Sequence, residues 1–229
     1  MPFLIMDQYY LILVVPTLIL SMIAQIMVKS AFAKYSKVTS TRGITGRDAA
    51  DLLLKTNNII NVTIEGVGGS LTDHYDPSKK VIRLSEPVLD SSSISAIGVA
   101  AHEAGHAIQH ALAWGPLGLR SFLVPVANFG SRLGPWIAIA GIFLSIPLLI
   151  NIGIILFSAA VFFYVVTLPV EFNASARAIT ILRNNNVLSE QELVGVRKVL
   201  TAAALTYVAS ALTAIMSLLR LVLMSRRRR

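Results

Sequence analysis

Between Arg132 and Glu171 the chain carries no charged side chain, and this run limits the possible folds more than any other feature. From Leu133 to Val170 it is too long for a single membrane crossing of ~20 residues and long enough for two short ones. Pro147, Asn151 and Gly153 supply turn chemistry near its middle. The run therefore reads as a hairpin, roughly 133–149 and 152–170, that returns the chain to the side it left.

Two further stretches are apolar. Tyr9 to Val28 is uncharged, has no Lys or Arg before it, and is followed by Lys29, Lys34 and Lys37. No small-residue cleavage pattern follows, so it reads as an uncleaved anchor with its N-terminus outside and the next domain in the cytoplasm. Val199 to Leu219 is either a fourth crossing or a helix that stops short. Four full crossings would place Arg226 to Arg229 outside, against the positive-inside tendency. Composition agrees with a membrane protein: 14% of residues are charged, against about a quarter in soluble domains. The net charge of +8 then belongs to span flanks facing anionic lipid, with no need of a nucleic-acid partner. The absence of cysteine excludes disulfides and thiolate ligands, so any metal here is held by His, Asp or Glu.

The polar region between the apolar stretches, about 30–131, is one small α+β domain. Thr45 with Asp48 three residues later predicts a capped helix to Lys55. Asn58 to Glu65 and Lys80 to Leu84 read as strands, with a turn at Gly66 to Gly69. Asp90 to Ser93 offers caps to a long helix from about Ile94 to His110, ended by Trp114-Gly115-Pro116. Ala111 to Gly130 is an amphipathic segment suited to the interface.

That long helix contains His102-Glu103-Ala104-Gly105-His106. Histidines four apart share a helix face, so both can reach one ion. Zinc lowers the pKa of a coordinated water toward neutrality, and Glu103 can take its proton as it attacks a peptide carbonyl. A catalytic zinc has three protein ligands and one open position. His110 is a poor third ligand, because on a straight helix it lies about 12 Å from His102. Glu171 is better. It is the first charge after the hairpin, at a boundary where an unpaired carboxylate is costly, and the hairpin returns it to the side of the histidines. Ser175, one helical turn on, is placed to support a ligand histidine.

The runs His102 to His110, Leu71 to Pro77 with Val81 to Ser85, and Leu168 to Ser175 together resemble the YugP-type neutral zinc metallopeptidases. The resemblance covers nearly the whole chain, including its order of anchor, motif domain, hairpin and final apolar helix. More distantly the chain is similar to the HtpX and CAAX-prenyl membrane proteases, in which a Glu after a pair of spans completes the zinc site. That likeness supports the same role for Glu171. Those relatives have Asp four residues after this Glu where Ser175 stands, and many YugP-type sequences have Asp in place of Asn173. Asn173 and Ser175 are thus candidates for orienting the ligand histidines, with the orienting partner unnamed. His74 and Tyr75 are candidates for stabilising the transition-state oxyanion, or merely flank the Asp76-Pro77 turn. The resemblance also implies that the strand Lys80 to Leu84 lies by the cleft and holds substrate by strand addition.

These readings combine into one expectation. The chain is a mainly α membrane protein with about four transmembrane or membrane-embedded helices and a small α+β zincin-like domain carrying the HExxH helix. Its organisation is an anchor (1–29), the metallopeptidase domain (30–131), a hairpin (132–170), a helix with the third ligand (171–198), and an apolar helix with a basic tail (199–229). The function expected is that of a gluzincin-like zinc endopeptidase in the cell membrane. It has Glu103 as general base, His102, His106 and Glu171 as zinc ligands, a site facing the cytoplasm, and protein or peptide substrates that include membrane proteins. The alternative is a metal-binding scaffold or transporter component without hydrolysis. Few polar residues within the spans, mainly Gln25, Asn151 and Thr167, count against transport.

Overall fold

The computed structural model describes residues 7–226. The chain divides into two compact units. Among the described residues, one comprises residues 7–25, Gly118–Pro169 and residues 205–226; the other comprises Ile26–Leu117 and Val170–Ala204. Three helices contribute to both: α1 (Val15–Tyr35), α6 (Pro147–Asn184) and α7 (Glu190–Arg226).

In the apolar unit, a π-helical turn, Tyr10–Val14, leads into α1. Segments of α1, α5 (Gly115–Leu144), α6 and α7 make up the remainder. Tyr9 packs against Ile142, Ile150 and Met224, and Asp7 pairs with Arg220 at 2.7 Å. Within this unit, then, the start of the described chain, the α5–α6 turn and the end of α7 lie together. Among the described residues three helices are long and apolar enough to cross a membrane: Tyr10–Tyr35, Pro147–Asn184 and Glu190–Arg226. The expected count of about four exceeds this. The apolar stretch of α5 runs only from Leu133 to the turn, and Asn128 and Arg132 precede it.

The hairpin turn falls earlier than its residues suggested. Ser145 sits at φ 56° and the Ile146 amide reaches back to the Gly141 carbonyl at 2.9 Å, a Schellman-type ending built without glycine. Pro147 then opens α6, where its missing N–H costs nothing. Asn151 and Gly153 lie inside α6. Gly153 is a packing residue, since a Cβ there would stand 2.3 Å from the Ala138 amide nitrogen.

The second unit holds the polar domain. Helix α2 (Gly46–Thr56) opens with a complete capping box between Thr45 and Asp48. Strands β1 (Thr63–Val67), β2 (His74–Asp76) and β3 (Val81–Ser85) form a mixed sheet in the order β1-β3-β2. β1 pairs parallel to β3, with Thr63 opposite Val81, and β2 pairs antiparallel to it, with His74 opposite Arg83. The expected strand addition at residues 80–84 is not available, because β3 is central and already paired on both sides; β1 and β2 are the edges. A one-turn helix α3 (Glu86–Leu89) leads to α4 (Ile94–Ala111). Leu53, Ile82, Leu84, Val88, Ile97, Ile108, Leu182 and Val196 share one core, which fixes α4 between the sheet side and the ends of α6 and α7. That core positions the site.

Candidate metal centre

Ser93 caps α4 by accepting from the Ala96 amide at 3.3 Å. The helix that follows is lined with Ala96, Ala100, Ala101, Ala104 and Ala107, all at most 1% exposed, so its back can be approached closely. Gly105 uses that freedom. A Cβ there would stand 2.6 Å from the Ala174 carbonyl oxygen, so only glycine lets the backbones of α4 and α6 come this near.

The close approach brings three ligand-type side chains together. His102 and His106, one turn apart, meet edge to face with ring centroids 4.7 Å apart. Glu171, 2% exposed, enters from α6. Its Oε2 lies 3.2 Å from Nε2 of His102 and 3.5 Å from Nε2 of His106. Ligand atoms of all three lie within 4.8 Å of one another, so together they could hold a metal ion. In both rings Nε2 faces the carboxylate while Nδ1 is held from behind. Nδ1 of His102 lies 3.0 Å from the Ser175 hydroxyl, and Nδ1 of His106 lies 3.0 Å from Oε1 of Gln109. Burial opposes a charge on His106. The Glu171 hydrogen bond and the nearby Glu103 and Glu171 carboxylates outweigh it and raise the pKa of this ring above its ordinary value.

Glu103 sits beside His102 on α4 and is 9% exposed. Asn173 stands behind the cluster, its Oδ1 accepting from Nε2 of Gln109 at 3.0 Å and from Nε of Arg177 at 2.7 Å. His74 and Tyr75 have partners outside the three-residue cluster. Nδ1 of His74 is 2.8 Å from the Thr72 carbonyl and its Nε2 is 3.4 Å from Arg83. The Tyr75 hydroxyl meets Nδ1 of His110 at 2.7 Å, which gives His110 a place at the end of α4 apart from the cluster. Burial, with Asp76 beside it, pushes the Tyr75 phenol up from its ordinary pKa.

Sequence reasoning passed over Gln109 and Arg177. Gln109 had one signal, its place three residues after His106 on the same helix face; the structure adds that it is 0% exposed, so its polar groups must be answered by others. Arg177 had none beyond its spacing of four from Asn173.

Two imidazole nitrogens and a carboxylate oxygen form a zinc-type donor set. They stand in a chain with three helices apolar enough to span a bilayer, a combination that suggests a membrane protein with a His–His–Glu cluster able to hold a metal ion. The chain matches, over residues 10–226, the family described as "Putative neutral zinc metallopeptidase", and it belongs to that family. It is 51% identical over 214 residues to the "Putative membrane protease YugP" of Bacillus subtilis (strain 168), covering 93% of this chain and 95% of that relative. No solved structure matches it significantly.

Proposed function

We propose that this protein is a membrane-anchored endopeptidase that hydrolyses peptide bonds of proteins at or near the membrane. In this reading His102, His106 and Glu171 hold zinc, and Glu103 is the general base. The observation that carries it is the convergence of three ligand atoms, from helices far apart in sequence, within 4.8 Å of one another. The family and the membrane-protease relative support the same reading.

Zinc, when bound, supplies a Lewis acid that polarises the scissile carbonyl and acidifies water. Glu103 takes a proton from the attacking water and delivers it to the leaving amine, a role worth about 10²–10⁴-fold in rate. Lys29, Lys34 and Lys37 after the first span favour a site facing the cytoplasm.

The test is Glu103→Gln in the full-length protein. Zinc content stays as in wild type, and cleavage of a denatured protein falls by about 10²-fold or more. Undiminished cleavage by this variant would remove Glu103 from the mechanism. A wild-type protein that carried metal ions across proteoliposomes and cleaved nothing would favour a transporter component instead.

A further inference from the structure

The two histidines are supported in physically different ways. His102 leans on a serine hydroxyl, which rotates and can either donate or accept. His106 leans on an amide whose orientation is fixed by groups that cannot change sign. The Arg177 guanidinium can only donate, and its Nε lies 2.7 Å from Asn173, so the Asn173 atom facing it is the carbonyl oxygen. That oxygen lies 3.0 Å from the Gln109 amide, and the Val170 carbonyl lies 2.9 Å from the same atom. Both neighbours only accept there, so Gln109 turns its NH2 toward them. Its oxygen then faces Nδ1 of His106 at 3.0 Å, and a neutral His106 must carry its hydrogen on Nδ1. Nε2 is left with its lone pair directed toward Glu171, 3.5 Å away.

We infer that Arg177, Asn173 and Gln109 form a polarity relay that presets His106 as an Nε2 metal ligand, with Arg177 and Asn173 as positioning residues acting through Gln109. The inference rests on the metal-centre reading above. The relay is nearly shut off from water at its inner end, where Gln109 is 0% exposed, so a reversed amide would leave buried groups of like polarity facing each other. The Ser175 side carries no such constraint. His106 is thus the ring held ready, and His102 the one that adapts.

The design separates polarity from packing. Asn173→Asp keeps an acceptor for both Arg177 and Gln109, whereas Asn173→Leu keeps similar bulk and removes it. Arg177→Met changes a partly exposed residue and so guards against loss of the Asn173→Leu protein. Two readouts are taken on full-length protein in detergent. One is zinc affinity by competition with a chelator. The other is the ring-nitrogen NMR shifts of zinc-free protein, above the pH at which the rings titrate; with only four histidines, each signal can be assigned by substitution. Asn173→Leu and Arg177→Met should weaken zinc binding by about 10- to 100-fold and shift His106 from one tautomer to a mixture. Asn173→Asp should stay close to wild type in both. An unchanged His106 tautomer in Asn173→Leu and Arg177→Met would overturn the relay, as would Asn173→Asp being as damaging as Asn173→Leu. Failure of wild-type protein to bind zinc would instead sink the metal-centre reading, while the tautomer measurement still judged the relay.

Discussion

The two units handle buried charge in opposite ways. In the apolar unit, Nε and a terminal nitrogen of Arg220 both donate to Oδ2 of Asp7, at 2.9 and 2.7 Å, with the guanidinium 5.1 Å from the centre of the Tyr10 ring. A permanent cation meets a carboxylate, and the balance is struck within the chain. In the other unit the Glu171 carboxylate meets two imidazoles, which are cations only while protonated. When neutral, both rings offer lone pairs beside the carboxylate, so the three groups could hold a metal ion. Pairing with a fixed charge makes structure, and pairing with titratable rings makes a binding site.

If the two pairings differ in this way, removing the anion of each should have different consequences. Glu171→Gln should weaken zinc binding by more than about 100-fold, beyond what losing an outer hydrogen-bond partner does. Chelator competition measures it, and wild-type affinity would mean that the carboxylate is no ligand. Gly105→Ala comes next. Its Cβ would press on the Ala174 carbonyl at 2.6 Å, so α4 and α6 must part. Overpacking of this kind costs about 1–3 kcal/mol, and here it should weaken zinc binding too. Gly130→Ala makes an equivalent clash in the apolar unit, 2.2 Å from the Leu156 carbonyl, and should lower thermal stability while zinc affinity holds. Equal losses of zinc affinity in both alanine variants would mean that Gly105 has no special link to the site.

Asp7→Asn isolates the fixed-charge pair. Breaking a fully buried ion pair costs 3–5 kcal/mol, but side-chain exposures of 10% and 19% soften this to about 2 kcal/mol. Thermal unfolding in detergent should show the loss, and Asp7→Leu with Arg220→Met should recover part of it. Zinc affinity should not follow either change.

Much of the centre was legible in sequence because its signals are local or topological. The histidine spacing places two rings on one helix face, and the uncharged run between Arg132 and Glu171 points to a carboxylate returning to them. The turn was misplaced because glycine and asparagine were read as loop-formers. Gly153 is instead where two helices touch, a role set by Ala138, fifteen residues away in sequence. The sheet order was equally hidden. Nothing local in Val81 to Ser85 says that it pairs on both sides, and only the parallel pairing with β1 makes it central. Only the spacing of Gln109 from His106 was visible in sequence; its other partners, Val170 and Asn173, come from another helix.

Asp48 is a carboxylate whose partners are fixed donors at the start of α2. Asp48 accepts from the backbone N–H of Thr45, and this bond, with that from the Thr45 hydroxyl, lowers its pKa below the ordinary 3.8. The folded value lies below the unfolded one, so the stability it contributes is present above the ordinary value and fades as pH falls through the lowered one. Thr45→Ala removes the acceptor for the Asp48 amide and should cost about 1 kcal/mol at neutral pH. Asp48→Asn should flatten the acid side of the stability profile, since the protonation it abolishes is the one that costs the cap its charge. Zinc affinity at neutral pH should be the same in both variants as in wild type, because the cap holds α2 and no ligand. Were Asp48→Asn to weaken zinc binding as Glu171→Gln does, carboxylates could no longer be sorted by whether their partner is a fixed donor or a ring that gives up its proton.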